Sequence, residues 1–189
     1  MIHSKLVFNS SIDPNVLKIF LLSLGKNSLK NFNPFGEITE KNIDQIVTNE
    51  LKRSDKIRYF IFSEKKLIGY SFLTLFEKSS KKHNCTLGIV IGDNFQNLGY
   101  GKIICNHMIS DAWNRGLEKI WLTVFLDNFS ALKFYTHLGF NIEGIFLHDE
   151  KLDHNDRHVV SMAILKNNLL NNEYRKSVWK ELEKRLLDE

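Results

Sequence analysis

The stretch Gln96-Asn97-Leu98-Gly99-Tyr100-Gly101 follows an apolar run, Leu87 to Ile91, and opens an amphipathic segment. A strand that ends in a glycine-containing turn and leads into a helix leaves several backbone N–H groups directed outward. With the positive end of the helix dipole beside them, these groups make a receptor for phosphate oxygens. Glycine allows backbone angles closed to other residues there, and it lets an anion come close to the main chain. The spacing Q-x-x-G-x-G is neither the dinucleotide fingerprint nor the P-loop. Two glycines also fit a plain turn, so the flanking sequence has to decide.

After Gly101, Ile104, Met108 and Ala112 recur at helical spacing, with Ile103 and Ile109 beside them, up to Arg115-Gly116. Ile120 to Phe125 is a compact β-prone run that reads as a buried strand. Asp127 to Tyr135 reads as a short second helix, and Leu138-Gly139-Phe140 leads into another strand.

Strand, glycine turn, helix, strand, an Asn-x-x-Ala-x-x-Phe-Tyr helix and Leu-Gly-Phe, in this order over residues 84–165, resemble the GNAT superfamily of N-acetyltransferases. From Lys5 to Phe76 the pattern is compatible. Glu143-Gly144 and Met162, in the last two strands, are most similar to the branch containing ribosomal-protein N-terminal acetyltransferases. The resemblance implies an α/β fold with a mixed, mostly antiparallel central sheet of about seven strands flanked by helices.

The chain has 189 residues, enough for one domain with a proper core. Its composition, 43% hydrophobic and 25% charged, is that of a globular protein rather than a disordered one. No window has the apolar length to span a bilayer, and Met1 to Lys5 lacks a secretory pattern. Cys85 and Cys105 fall in a predicted strand and helix and read as buried free thiols. A cytoplasmic location is the default expectation. The net charge of +4 raises nucleic acid as a partner, but the 26 basic residues are scattered among 22 acidic ones. Lys65-Lys66 and Lys81-Lys82 sit in predicted turns without interleaved aromatic residues, which reads as solvated surface.

Lys5 to Phe8 reads as a first strand. Asp13-Pro14 starts a helix carrying Val16, Leu17, Phe20, Leu21 and Leu24 and stopping at Gly25. Lys26 to Gly36 reads as irregular, and Thr39 caps a helix with Ile43, Ile46, Val47 and Leu51 on one face. Ile57 to Ser63 and Leu67 to Phe76 form a hairpin, Asn84 to Ile91 a fourth strand, and Phe140 to about Leu152 with Arg157 to Leu165 a closing antiparallel pair around Asp153 to Asp156. This domain occupies residues 1–166. Residues 167–189 follow as an amphipathic helix with Tyr174, Val178, Leu182 and Leu186 in one stripe. It folds back on its own domain or pairs with another subunit, which makes a homodimer one expectation. Trp179 beside the stripe marks a contact surface.

The residues themselves make Gln96 to Lys102 a pyrophosphate cradle, with the amides of Leu98, Gly99, Tyr100, Gly101 and Lys102 facing the anion. The resemblance makes that anion the diphosphate of acetyl-CoA, the cosubstrate. It also makes Gln96, Asn97 and Asn128 cofactor contacts, and it pairs the backbone of Ile89, Val90 and Ile91 with the pantetheine arm. Ile91 is then the N–H donor that polarises the thioester carbonyl, and Tyr135 the general acid that protonates the leaving thiolate. The plainer alternatives are core packing for Ile89 to Ile91 and a structural tyrosine at 135.

Family members often carry a glutamate base where Thr86 stands, so the base falls to a water chain, to Glu37 or Asp149, or to His83, His148 or His154. Asp93 stands where many members have proline, from which only a small change in loop rigidity is expected. His148, His154 and His158 do not have metal-ligand spacing, so no metal is expected. The acceptor is a primary amine, on a small molecule or a protein N-terminus. Phe35, Glu37 and Asp149 are its candidate contacts, suited to a cationic amine with an apolar neighbour. The alternative classes are a catalytically silent module that binds coenzyme A and a protein acting through its terminal helix.

Overall fold

Apolar residues in period two and in helical period sort the chain into strands and flanking helices. The computed structural model describes residues 6–32, 34–152, 155–166 and 180. The strands are β1 (Val7–Asn9), β2 (Lys56–Ser63), β3 (Lys66–Leu75), β4 (Asn84–Ile91), β5 (Lys119–Phe125), β6 (Asn141–Leu152) and β7 (Asn155–Leu165). They form a 7-stranded sheet in the order β1-β2-β3-β4-β5-β7-β6. All neighbours are antiparallel except β4 and β5, which run parallel. The helices are α1 (Pro14–Leu22), α2 (Lys26–Asn31), α3 (Ile43–Lys52), α4 (Tyr100–Asn114) and α5 (Phe129–His137).

Two cores lie on the two faces of the sheet. One gathers Ile61, Leu73, Leu87, Ile120 and Leu122 with Ile104 and Met108 of α4. The other gathers Phe60, Tyr70, Phe72 and Val90 with Leu17 and Leu21 of α1 and Ile43 and Val47 of α3. Central β3 is therefore buried continuously from Leu67 to Phe72 and on to Leu73, as a strand covered on both faces must be. The β2–β3 turn puts Glu64 and Lys65 at φ 49° and 70°, the two positive angles of a hairpin turn that matches strand twist.

The first third differs from the sequence reading. Asp13 does cap α1, accepting the Asn15 N–H at 2.8 Å. However, α1 ends at Leu22, and Gly25 at φ −73° begins α2 rather than ending α1. α2 was legible only as irregular chain because Lys-Asn-Ser-Leu-Lys-Asn has no apolar period. α3 begins at Ile43 instead of near Thr39: the Asn42 side chain accepts the Thr39 N–H at 2.8 Å, which closes a turn ahead of the helix.

A buried polar group joins α3 to the sheet. The Glu50 carboxylate accepts from Lys56 Nζ at 2.9 and 2.8 Å and from the Tyr70 hydroxyl. Burial holds the Lys56 ammonium below its ordinary pKa, and its Nζ also lies 3.8 Å from the Phe72 ring centroid. No described helix is long and apolar enough to cross a membrane. The expected terminal helix, with Trp179, lies outside the described residues, as does the Lys5 start of the first strand.

Candidate active site

β4 and β5 pair only from Asn84 to Thr86 against Lys119 to Trp121. Beyond Thr86 the two strands run on to Ile91 and Phe125 without a shared register, so the sheet splits into a wedge. The β3–β4 ladder decides which backbone groups face that wedge. The Gly92 N–H donates to the Ile68 carbonyl at 2.8 Å, so Gly69 and Ile91 are opposite residues that exchange no hydrogen bonds. Alternation along the strand then gives Val90 to β3 and turns the N–H groups of Ile89 and Ile91 toward the split. The Ile91 carbonyl is occupied by Gln96 Nε2 at 2.9 Å.

A cleft of about 610 Å³ fills the wedge. At one end it meets the glycine turn. Asn97 and Gly99 take left-handed angles, φ 59° and 83°, and Gly99 is the residue from which α4 departs. The first N–H groups of a helix lack intrahelical acceptors, and here Gly99, Gly101 and Lys102 bring that end of α4 to the cleft wall. Gly101 has a different reason to be glycine: a Cβ would stand 3.3 Å from Phe134 Cζ and 3.5 Å from Ile91 Cδ1. The second glycine thus lets α4 approach α5 and the end of β4 together.

α5 supplies the opposite wall. Asn128 caps it, its Oδ1 accepting from the Ala131 N–H at 3.2 Å and the Ser130 hydroxyl at 3.0 Å. Tyr135 lies two turns further on, and both residues line the cleft. The Tyr135 ring packs edge-on against Phe134 and Phe140, with centroids 5.1 and 5.5 Å away. Removal from water pushes its phenol well above the ordinary tyrosine pKa, with Cys105 adding to the rise, so the hydroxyl keeps its proton.

α2, where the sequence implied irregular chain, forms a wall through Asn27, Ser28 and Asn31, with Phe32 just beyond its end. Asp93 is the second surprise. Its carboxylate accepts the Gly25 N–H at 2.9 Å and the Ser28 hydroxyl at 2.9 Å, so it anchors α2 rather than merely loosening a loop. The Gly25 N–H is the first cause holding Asp93 below the usual carboxylate pKa.

A split between the two parallel strands, with a helix N-terminus at one end and a protonated tyrosine on the wall, carries the fold to a family. The family model described as Acetyltransferase (GNAT) family matches residues 26–140, more than half of the chain. The chain belongs to the GNAT acetyltransferase family. L-amino acid N-acetyltransferase AaaT of Escherichia coli K12 is 32% identical over 80 residues, covering 41% of this chain and 49% of that protein. The [ribosomal protein bS18]-alanine N-acetyltransferase of Salmonella typhimurium is 36% identical over 53 residues, 28% of this chain and 36% of that one. The chain thus spans about half, or less, of the curated relatives it matches. Among solved structures, spermidine N-acetyltransferase from Vibrio cholerae in complex with CoA and spermine superposes with TM-score 0.74 at 20% identity, covering 89% of this chain and 100% of that one. A GNAT-family acetyltransferase from Streptococcus pneumoniae gives 0.68 at 22%, covering 85% and 99%.

In this GNAT domain the cleft collects Ile89, Val90, Ile91, Gln96, Asn97, Gly99, Gly101, Lys102, Asn128 and Tyr135. Leu98 is exposed and Tyr100 packs against the larger core, and neither lines the cleft. Phe35, Glu37 and Asp149 lie outside its lining too. Phe35 packs edge-on to Phe32, with centroids 6.1 Å apart, and Glu37 and Asp149 are exposed. Of the candidate bases, Glu37, Asp149, His83 and His148 are all off the cleft wall, and His154 lies outside the described residues. His148 bonds Asp156 at 2.9 Å, and no group of metal-ligating side chains occurs among the described residues. Cys85 and Cys105 are free and buried, and burial pushes both thiols up to about 12. Residues the sequence did not single out, Thr123 and Phe125 on β5 and His137 on α5, join Phe134 in the wall.

The arrangement suits a long, amide-bearing ligand with an anionic end. The glycine turn leaves open space beside Gly99, where a Cβ would meet nothing within 4 Å, and β4 offers a row of N–H donors to an extended arm.

Proposed function

We propose that this GNAT domain transfers an acetyl group from acetyl-CoA directly to a primary amine within a ternary complex. One observation carries the reading: the N–H groups of Ile89 and Ile91, which β3 does not use, line the same cleft as the α4 N-terminus and Tyr135. Acetyl-CoA would supply the activated thioester. Gly99 to Lys102 would hold its diphosphate against the dipole of α4, and Ile89 to Ile91 would pair with its arm as an added strand. The Ile91 N–H would face the carbonyl oxygen as negative charge develops there. Tyr135, whose phenol burial keeps protonated, would give its proton to the departing sulfur. The curated relatives are named for amino-acid and ribosomal-protein acceptors, and a structural neighbour for spermidine. These names support an amine acceptor, on a small molecule or a protein N-terminus.

The test is free-thiol release from acetyl-CoA against amino acids, N-terminal peptides, polyamines and amino sugars, with coenzyme A affinity measured on the same protein. Turnover with one class supports the reading and names the acceptor. Absence of coenzyme A binding overturns it.

A further inference from the structure

α2 is tied to both lips of the split. On the β4 side, Asp93 holds the Gly25 N–H and the Ser28 hydroxyl, and Gln96 Nε2 donates to Ser28 Oγ at 2.8 Å. On the β5 side, Arg157 of β7 donates to the Lys30 carbonyl at 2.9 Å, to Asn31 Oδ1 at 3.4 Å and to Asp127 Oδ1 at 2.5 Å. Lys30 Nζ closes the ring with Asp127 Oδ2 at 3.4 Å. The Arg157 side chain is only 7% exposed, and its Cζ lies 3.3 Å from the centroid of the Phe125 ring, itself part of the cleft wall.

A helix of 6 residues has too few intrahelical bonds to hold itself. Its position therefore comes from these tethers together with the packing of Leu29, and the tethers bridge the part of the sheet where β4 and β5 do not pair. α2 also belongs to the core opposite α4 and α5, through Leu29, and the chain just after it through Phe32. With α4 and α5 on the face that takes the diphosphate, the opposite face, where α2 lies, is the one left to an acceptor. We infer that Arg157 is a positioning residue: by docking the end of α2 onto the β5 lip, it holds Asn31 and Phe32 over the acceptor end of the cleft and sets acceptor binding. This rests on the acetyl-transfer reading.

The experiment compares the full chain with Arg157→Ala, Arg157→Lys and Asp127→Asn, reading hydrogen exchange, coenzyme A affinity and steady-state kinetics. The expected result for Arg157→Ala is exchange about tenfold faster in residues 26–32, with β4 and α4 unchanged. The acceptor KM rises about tenfold or more while coenzyme A affinity stays within about threefold, because misplacing a binding wall costs rate at a distance. Arg157→Lys recovers part of the KM, and Asp127→Asn gives the same pattern more weakly even if Arg157→Ala fails to fold. Unchanged exchange in α2, an unchanged acceptor KM, or equal losses for coenzyme A and acceptor would each overturn the inference. If the parent protein binds coenzyme A but acetylates no amine, the transfer reading fails, and α2 exchange alone then decides whether Arg157 holds the strap.

Discussion

Gln96 Nε2 donates at 2.9 Å to the carbonyl of Ile91, the residue whose own N–H is turned into the split. The same nitrogen donates to Ser28 Oγ at 2.8 Å, so one side-chain amide joins the end of β4, the glycine turn and α2. Gln96→Ala removes two bonds worth about 1 kcal/mol each and is expected to destabilise by about 1–2 kcal/mol. Thermal unfolding should then fall by about 2–8 °C. An unchanged melt would mean that neither bond persists in solution.

The two glycines of the turn should fail in different ways. Gly99 sits at φ +83° with nothing near a Cβ, so Gly99→Ala costs about 1–2 kcal/mol of backbone strain and Gly99→Asn less. Gly101 has no such angle, but its Cβ would press on Phe134 and Ile91. Gly101→Ala should therefore press the first turn of α4 away from Phe134 and weaken coenzyme A binding about tenfold, with a melting loss no smaller than that of Gly99→Ala, because overpacking a wall costs about 1–3 kcal/mol. Calorimetric titration and unfolding of the two variants separate these effects.

Tyr135→Phe is expected to lower kcat by about 10²–10⁴-fold with coenzyme A affinity unchanged, the loss typical of a missing proton donor. Because burial raises the phenol above its unfolded value of about 10, no alkaline limb of the rate below about pH 10 belongs to Tyr135. The sign for stability follows. Above about pH 10 the unfolded chain releases this proton before the folded one does, so stability falls as pH rises, and Tyr135→Phe makes that fall shallower. Tyr59 and Tyr70 are raised by burial as well and leave a residual slope.

Removing Glu50 should be far more costly than its surface neighbours suggest. Glu50→Ala strands a Lys56 side chain that is 2% exposed, together with the Tyr70 hydroxyl. Breaking one side of a buried pair costs about 3–5 kcal/mol, and Glu50→Gln, which keeps shape and an acceptor, should cost less. Chemical denaturation of the two variants measures the difference. Equal midpoints for Glu50→Ala and the parent would contradict the buried pair.

The second half of the domain was legible residue by residue. β4 runs from Asn84 to Ile91 as its apolar run implied, and Asn128 caps the helix that carries Tyr135. These elements declare themselves because hydrophobic period, capping chemistry and glycine angles are local properties. Lys-Asn-Ser-Leu-Lys-Asn carried no such signal, since α2 is held by Asp93, Gln96 and Arg157 from far along the chain. The anchoring role of Asp93 is hidden in the sequence for the same reason: its partner Gly25 is 68 residues away.

By itself, the sequence determined strands β2 to β7, the glycine turn and the Asp13 and Asn128 caps. Only the tertiary structure decided where β4 and β5 part, and hence which peptide N–H groups are left without a strand partner. A split is a missing pairing between two well-formed strands. No residue encodes it alone, because each strand is equally well formed whether or not its neighbour follows it.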